Sequence, residues 1–184
     1  MNFMNKRGLS AVVATVLLLL VTIVAVSIIT PFIFKFIRGN LDEGGSCFNV
    51  FEGLGIAETG YNCYIDDSSS GKKRTAFSVR INGDEIKAFK VSLGNAGSSN
   101  AFEIKEGAQL SNIRMLDESG SANFNGPLSI PERGGIRTYV ANDLFDQIEI
   151  FPVLGSGKLC EMADSVKLKS CSDAVVISDI LNEP

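Results

Sequence analysis

The chain has 184 residues, of which 45% are hydrophobic and none is histidine. Its first 38 residues carry four basic side chains and no acid, which leaves 13 basic and 21 acidic residues, a net charge of −8, on the rest. An acidic surface disfavours nucleic-acid binding, and the lack of histidine removes the commonest general base and metal ligand. We therefore predict no catalytic residue, no metal site, no cofactor and no nucleic-acid partner.

An uncharged apolar run extends from Leu9 to Phe34. At 1.5 Å per residue, about 20 residues of it span roughly 30 Å as a helix, the thickness of a bilayer's hydrocarbon core. A helix that is apolar on every side must be surrounded by lipid or by neighbouring helices. We predict such a helix over residues 9–40, with a stop near Gly39-Asn40 and a kink or local melting at Pro31.

A short basic segment precedes the run, with Lys6 and Arg7 followed by Gly8. A conventional secretory signal has an apolar stretch of roughly 7–15 residues and then a small-residue cleavage site. Here the run is about twice that length, and a basic sequence follows it instead. Cleavage, if it occurs, is therefore predicted between Gly8 and Leu9, which leaves the apolar helix on the mature protein.

The residues across this junction read Lys6-Arg7-Gly8-Leu9-Ser10-Ala11-Val12-Val13-Ala14-Thr15-Val16. They resemble the class III signal peptide and helix start of archaeal type IV pilins, and the resemblance covers residues 6–30. It implies that a prepilin peptidase recognises Lys6, Arg7 and Gly8 and cuts after the glycine, so that residues 1–8 are the signal peptide and Leu9 is the mature N-terminus. It also implies self-assembly through the helices into a homo-oligomeric type IV pilus filament.

Two positions depart from the family pattern. Family members often carry proline where this chain has Ala11, and bacterial pilins carry glutamate where it has Val13. The second departure fits archaeal rather than bacterial pilins. The likeness is closer to adhesion-type pilins than to archaellins, which implies a role in cell adhesion.

The orientation across the membrane is not decided by the basic residues, because two precede and two follow the apolar run. The N-terminal tail has only eight residues, and all four cysteines lie beyond the run. Disulfides require an oxidising compartment. We predict a single-pass membrane protein with its N-terminus inside and its head extracellular, which becomes part of a cell-surface filament after assembly.

Cys47, Cys63, Cys160 and Cys171 are predicted to form two disulfides. Four cysteines allow three connectivities, and sequence order favours the local pairs Cys47–Cys63 and Cys160–Cys171. The alternatives are a metal site, for which the chain has no C-x-x-C pair and no histidine, and free thiols.

Residues 41–184 are predicted to form one β-rich head, because short alternating segments there are separated by turn residues. Together with the helix, this gives an α+β protein with an antiparallel β-sandwich or small β-barrel. Asn82-Gly83 predicts a two-residue hairpin, a bulge is expected near Lys87-Ala88, and a helical turn near Asn142–Gln147. No long amphipathic helix is predicted in the head. The strand candidates are Thr75–Ile81, Glu85–Leu93, Ala101–Lys105, Asn112–Leu116, Gly135–Ala141, Gln147–Val153 and Val166–Leu168.

Several segments of the head resemble sites, yet each has a simpler interpretation. The oxygen-rich segment Asp66–Gly71 lacks the spacing of an EF-hand and is predicted to be a solvated loop. Lys72-Lys73-Arg74 is predicted to be an exposed charged run. Gly53-Leu54-Gly55 and Gly155-Ser156-Gly157 are predicted turns rather than phosphate loops. The acidic pair Asp117-Glu118 would indicate a carboxylate hydrolase only if a cleft brought distant acidic residues together, which the sequence does not show.

Two function classes follow from these features. The first is a structural subunit of an archaeal type IV pilus-like filament, either a major subunit or a minor component that primes assembly. The alternative is a single-pass anchored extracellular binding or adhesion protein that does not polymerise. The first predicts cleavage after Gly8, and the second predicts an uncut N-terminus.

Overall fold

The computed structural model describes residues 6–48, 50–67, 69–95, 98–116 and 124–182, and for residues 6–12, 38–46 and 48 of the first helix it describes the backbone alone. The chain divides into two compact units, Met1–Ser46 and Cys47–Pro184. The prediction of an α+β protein, with an N-terminal apolar helix followed by a β-rich head, is confirmed.

The apolar N-terminal segment is helical, as predicted, and forms α1 (Lys6–Phe48). The predicted stop near Gly39-Asn40 is wrong, because the backbone stays helical for eight residues beyond Asn40. A glycine ends a helix where its backbone turns left-handed, and Gly39 does not do so. Local melting at Pro31 is not observed either. Proline removes one hydrogen bond from a helix, and the ladder of this 43-residue helix continues on both sides of it.

The described part of the head contains ten strands, one 3-10 turn and a short helix. All seven strands predicted from the sequence are present within a few residues of their expected ends, while β1, β2 and β10 were not predicted. The elements after the 3-10 turn Phe51–Gly53 are β1 (Leu54–Ile56), β2 (Cys63–Asp67), β3 (Lys72–Ile81), β4 (Ile86–Asn95), β5 (Ser98–Lys105), β6 (Ile113–Leu116), β7 (Ile136–Ala141), β8 (Gln147–Leu154), β9 (Asp164–Lys167), β10 (Lys169–Ser170) and α2 (Ala174–Leu181).

The strands form two sheets. Sheet A has the order β10-β2-β3-β7-β6, with β1 also paired to β3, and sheet B has the order β5-β4-β8-β9. All pairs are antiparallel except β10 with β2. The two sheets share one hydrophobic core, so the sandwich alternative describes the head and a closed barrel does not.

The core joins the sheets through three aromatic rings. Phe77 on β3 stacks on Tyr139 of β7 at 5.5 Å between ring centroids, and Phe89 of β4 meets the same tyrosine edge-on at 5.7 Å. All three side chains are fully buried. Such aromatic contacts add about 0.5–1.5 kcal/mol to the stabilisation from burial alone. The predicted alternation of β4 is also confirmed, including the register shift between Ile86 and Ala88 that marks the expected bulge.

The predicted hairpin at Asn82-Gly83 is wrong, because β3 and β4 belong to different sheets. The end of β3 is already paired on both sides: Ile81 is opposite Leu54 of β1, and Arg80 is opposite Ile136 of β7. Asn82 donates its backbone N–H to the Gly53 carbonyl at 2.7 Å, which continues the β1 pairing instead of turning back. A Cβ on Gly53 would come within 3.3 Å of the Gly83 backbone, a tighter contact than most Cβ atoms make, so this close crossing favours glycine.

Helix α2 covers the outer face of sheet A and was not predicted. Asp173 caps its N-terminus by accepting hydrogen bonds from the backbone N–H groups of Val175 and Val176. Val176 and Ile180 are buried in a second, smaller cluster with residues of β2, β3 and β7. Central strands of sheet A are therefore covered on both faces, and β3 has six consecutive buried residues where the sequence predicted alternation.

The segment after β7 contains no helical turn, contrary to the prediction for Asn142–Gln147. Its backbone is held by the buried hydroxyl of Thr75 on β3 instead. That hydroxyl donates to the Asp143 carbonyl at 2.9 Å and accepts from the Phe145 N–H at 2.8 Å. Satisfying these groups from a neighbouring strand removes the need for an internal helical hydrogen bond.

The two predicted disulfides are present, but the favoured local pairing is wrong. The bonds are Cys47–Cys160 and Cys63–Cys171, across 113 and 108 residues. The parallel pairing of β10 with β2 explains the second, because it places Lys169 opposite Cys63 and leads the chain to Cys171. The Cys171 N–H donates to the Tyr64 carbonyl at 2.9 Å, which continues this pairing.

Peptide mapping under non-reducing conditions tests this connectivity. We expect two cross-linked species, one joining the peptides of Cys47 and Cys160 and the other joining those of Cys63 and Cys171. Both disappear on reduction, and the Cys63→Ser/Cys171→Ser variant retains only the first. Losing a native disulfide typically costs about 2–5 kcal/mol, so that variant should unfold at lower denaturant concentration. A Cys47–Cys63 peptide in the untreated protein contradicts the fold.

Candidate functional site

The most distinctive surface of the chain is the apolar part of α1. Val13–Ile37, 25 residues with mean hydropathy 2.8, is long and apolar enough to cross a membrane, and none of it is buried within the protein. The large apolar side chains in this segment are 44–80% exposed. They lie on every side of the helix, so no single neighbouring element can cover them. At 1.5 Å per residue the segment is about 37 Å long, more than the roughly 30 Å of a hydrocarbon core.

Three hydroxyl groups within this segment are satisfied by the helix itself. The hydroxyls of Thr22, Ser27 and Thr30 donate to the carbonyls of Leu19, Ile23 and Val26 at 2.7–2.8 Å. In an apolar environment no water is present to satisfy such groups, and each unpaired one costs several kcal/mol. These three hydroxyls can therefore be surrounded by lipid or by other apolar helices without becoming unpaired donors.

The predicted processing residues all lie in the first turn of α1. The backbone of Lys6, Arg7, Gly8 and Leu9 is helical, and their side chains lie outside the described residues. The Gly8–Leu9 peptide bond lies four residues before Val13, where the apolar surface described above begins. This order along the chain is the one that the predicted cleavage requires.

The loop between β2 and β3 is organised by one carboxylate. Asp67 accepts hydrogen bonds from the Ser69 N–H at 3.0 Å and from the hydroxyls of Ser69 and Ser70. These side-chain and backbone hydrogen bonds lower the pKa of Asp67 to about 2. Both carboxylate oxygens are thus used by the loop itself, as in an Asx turn. Within the described ranges, no group of three or more Cys, Asp or Glu side chains is placed to hold a metal.

The basic run that follows is not uniformly exposed. Lys72 and Lys73 start β3 opposite Asp67 and Asp66, but Arg74 is buried, contrary to the prediction. Its guanidinium donates to the Lys73 carbonyl and to the Asn142 side chain. A β-strand directs alternate side chains to opposite faces, so a three-residue run cannot keep all of its charges on one surface.

A second buried arginine was not recognised in the sequence. Arg114 on β6 has no exposed surface and donates to the carbonyls of Ile180, at 2.6 Å, and Asp179, at 3.3 Å, near the end of α2. The guanidinium groups of Arg114 and Arg74 both lie over the Phe124 ring, at 5.5 and 5.3 Å. A cation near helix C-terminal carbonyls is favourable. The cluster therefore holds α2 on sheet A, and the only sequence signal was a lone charge among apolar residues.

Two tyrosines are held in their protonated form. Tyr61 donates to the Asp179 carboxylate at 2.7 Å, and this hydrogen bond raises its pKa. Burial raises the pKa of Tyr139, whose hydroxyl donates to the Ser129 carbonyl at 2.8 Å. Both groups serve as hydrogen-bond donors in the fold, Tyr61 to α2 and Tyr139 within the core.

The two glycine-rich segments are placed as parts of the sandwich. Gly155-Ser156-Gly157 forms the predicted turn, with Gly157 at a φ of +83° and its N–H bonded to the Leu154 carbonyl at 2.8 Å. In Gly53-Leu54-Gly55 only the first residue is in the 3-10 turn, and the other two begin β1. Neither segment is followed by a helix. The pair Asp117-Glu118 lies outside the described residues.

The outer face of sheet B carries an open polar concavity of about 260 Å³. Gln147 and Glu149 of β8 point into it, and the Gln147 amide donates to the Glu149 carboxylate at 3.1 Å. Phe151 follows on the same face of β8 and is half-buried. The lining residues are Ser92, Gly94, Asn95, Ser98, Ser99, Gln147 and Glu149.

Comparison of the chain with models of protein families, with curated proteins and with solved structures found no match. Its function is accordingly inferred from its own residues.

The hydrogen bonds around Asp67 predict a specific pH dependence. Because its folded pKa of about 2 lies below the ordinary 3.8, the loop stabilises ionised Asp67 above about pH 4 and loses this contribution as the pH falls towards 2. Carbon-13 NMR titration of the carboxyl should give that low pKa. Ser69→Ala/Ser70→Ala should raise it towards 3.8, whereas Ser165→Ala, at an exposed serine on β9, should leave it unchanged. An ordinary pKa in the native protein contradicts the described loop.

Proposed function

We propose that the chain is a structural subunit of an archaeal type IV pilus-like surface filament. After a prepilin peptidase cuts between Gly8 and Leu9, α1 assembles with the helices of other copies, and the disulfide-bonded head forms the outer surface. The observation that carries this proposal is an all-round apolar helix, with three hydroxyls bonded to its own backbone, behind a Lys-Arg-Gly-Leu-Ser start.

The physical support for this proposal is that α1 requires apolar surroundings. Its exposed apolar surface must be removed from water, first by lipid and then, after assembly, by copies of the same helix. A cut on the cytoplasmic side of the helix preserves that surface, whereas a cut behind it would discard it. Two disulfides in the head favour an extracytoplasmic location, since such bonds are rare in reducing compartments.

The processing step is tested by the intact mass and N-terminal sequence of the protein isolated from its own cell surface. We expect a chain that begins at Leu9. Gly8→Leu should block the cut, because the bulky side chain replaces the small residue that the peptidase recognises, while Gly8→Ala should still be processed. A native chain that begins at Met1, or normal processing of Gly8→Leu, rejects the prepilin interpretation.

Burial of α1 is tested at the centre of its apolar segment. A charge there costs roughly 2.5–3.5 kcal/mol on membrane-insertion scales, so Val24→Asp should reduce membrane insertion and abolish filaments. Val24→Leu keeps the site apolar and should behave as the native protein. Membrane fractionation measures insertion, and electron microscopy of sheared surface material measures assembly. Normal filaments from Val24→Asp would show that this helix face is not buried.

The polar concavity on sheet B favours a second candidate function, an anchored extracellular binding protein that does not polymerise. Hydroxyl, amide and carboxylate groups converge there, a combination that suits a small polar ligand. The two candidates differ in processing and assembly. An N-terminus at Met1 with no filaments supports the anchored binding protein, and an N-terminus at Leu9 with filaments supports the pilin.

A further inference from the structure

We infer that the Cys47–Cys160 disulfide is a mechanical clamp, which carries tension from α1 into both sheets of the head at once. The source of that tension, a filament or membrane anchor pulling against a bound surface, rests on the proposed function. The clamp itself follows from where the chain enters the head and from which strands the bond connects.

The chain enters the head unit at Cys47, so any force along α1 reaches the head at this residue. From there the main chain leads to Val50, which is buried, and then to β1. Strand β1 has only three residues. It is held by its three pairs with β3, by one backbone hydrogen bond beyond each end of that pairing, and by the Ile56 N–H, which donates to Asp164 of β9 at 2.9 Å. A short terminal strand with few contacts opens at low free energy, so it is a poor point of attachment when it carries the load alone.

The disulfide provides a second attachment in sheet B. Cys160 is 6% exposed and follows β8, and its N–H donates to the Pro152 carbonyl of that strand at 2.9 Å. Strand β8 pairs with β4 over eight residue pairs and with β9 over four. Cys47 therefore cannot move away from the head unless this larger set of hydrogen bonds also yields.

The second disulfide limits peeling where the first is lost. Cys63 lies inside the 113-residue loop that Cys47–Cys160 closes, and it is bonded to Cys171 beyond that loop. Without the first bond, tension can peel the 16 residues from Cys47 to Cys63, and the second bond then passes the load to the segment at Cys171 as well as to β2. With the first bond intact, this segment is not extended.

The experiment is single-molecule force spectroscopy on the full chain in detergent micelles. One handle is attached at the N-terminus, and the other at residue 101 through the substitution of Ala101, exposed on β5, by an azide-bearing residue. The extension of α1 is common to all samples. The three samples are the native pairing, Cys47→Ser/Cys160→Ser, and the matched control Cys63→Ser/Cys171→Ser, which retains the proposed clamp.

We expect Cys47→Ser/Cys160→Ser to yield first at low force with a contour-length step of up to about 55 Å, the extended length of 16 residues less the distance that they span in the folded head. The native pairing and the control should lack that step and should first yield at a common, higher force. An equal first-yield force in all three, or the same first step with the native pairing, overturns the clamp. If Cys47→Ser/Cys160→Ser does not fold, the trace of the native pairing is sufficient by itself, because that first step in it overturns the clamp. Processing and filament assembly play no part in this measurement. The clamp can therefore be rejected while the pilin proposal stands, and the reverse also holds.

Discussion

The enclosure of β3 is the constraint on which the rest of the head depends. This strand has β1 and β2 on one side and β7 on the other, and its residues from Arg74 to Val79 are all buried. Sheet B covers one face and α2, with the neighbouring loops, covers the other. A strand enclosed in this way must have every polar group paired within the protein, which explains why Thr75, Ser78 and Arg74 each have specific hydrogen-bond partners.

The two units satisfy opposite requirements with the same chemistry. In the head, apolar side chains are removed from water by the sandwich, and polar groups that are buried with them are paired. In Val13–Ile37 the apolar side chains remain on the outside, and the hydroxyls of Thr22, Ser27 and Thr30 are paired to the helix backbone. The head can therefore exist in water, while α1 requires an apolar partner. That difference is the physical basis for proposing membrane insertion followed by assembly.

One disulfide lies at the residue where the chain passes from α1 into the head. Cys47 is the first residue of the head unit and the second-last residue of α1, and its bond to Cys160 leads into sheet B. The bond between Cys63 and Cys171 joins β2 to the segment that precedes α2. Both bonds close loops of more than 100 residues, so they join parts of the fold that hydrogen bonding within one hairpin could not hold together.

The sequence by itself determined the features that depend on neighbouring residues. The apolar helix, the seven main strands, the bulge in β4 and the turn at Gly155-Ser156-Gly157 were all predictable, because period, propensity and glycine positions act over a few residues. Tertiary structure decided the rest. Asn82-Gly83 has a hairpin sequence, but β1 and β7 already occupy both sides of the end of β3. The cysteine pairs, the burial of Arg114 and the position of α2 depend on which distant strands become neighbours, and that choice is made by packing of the whole head.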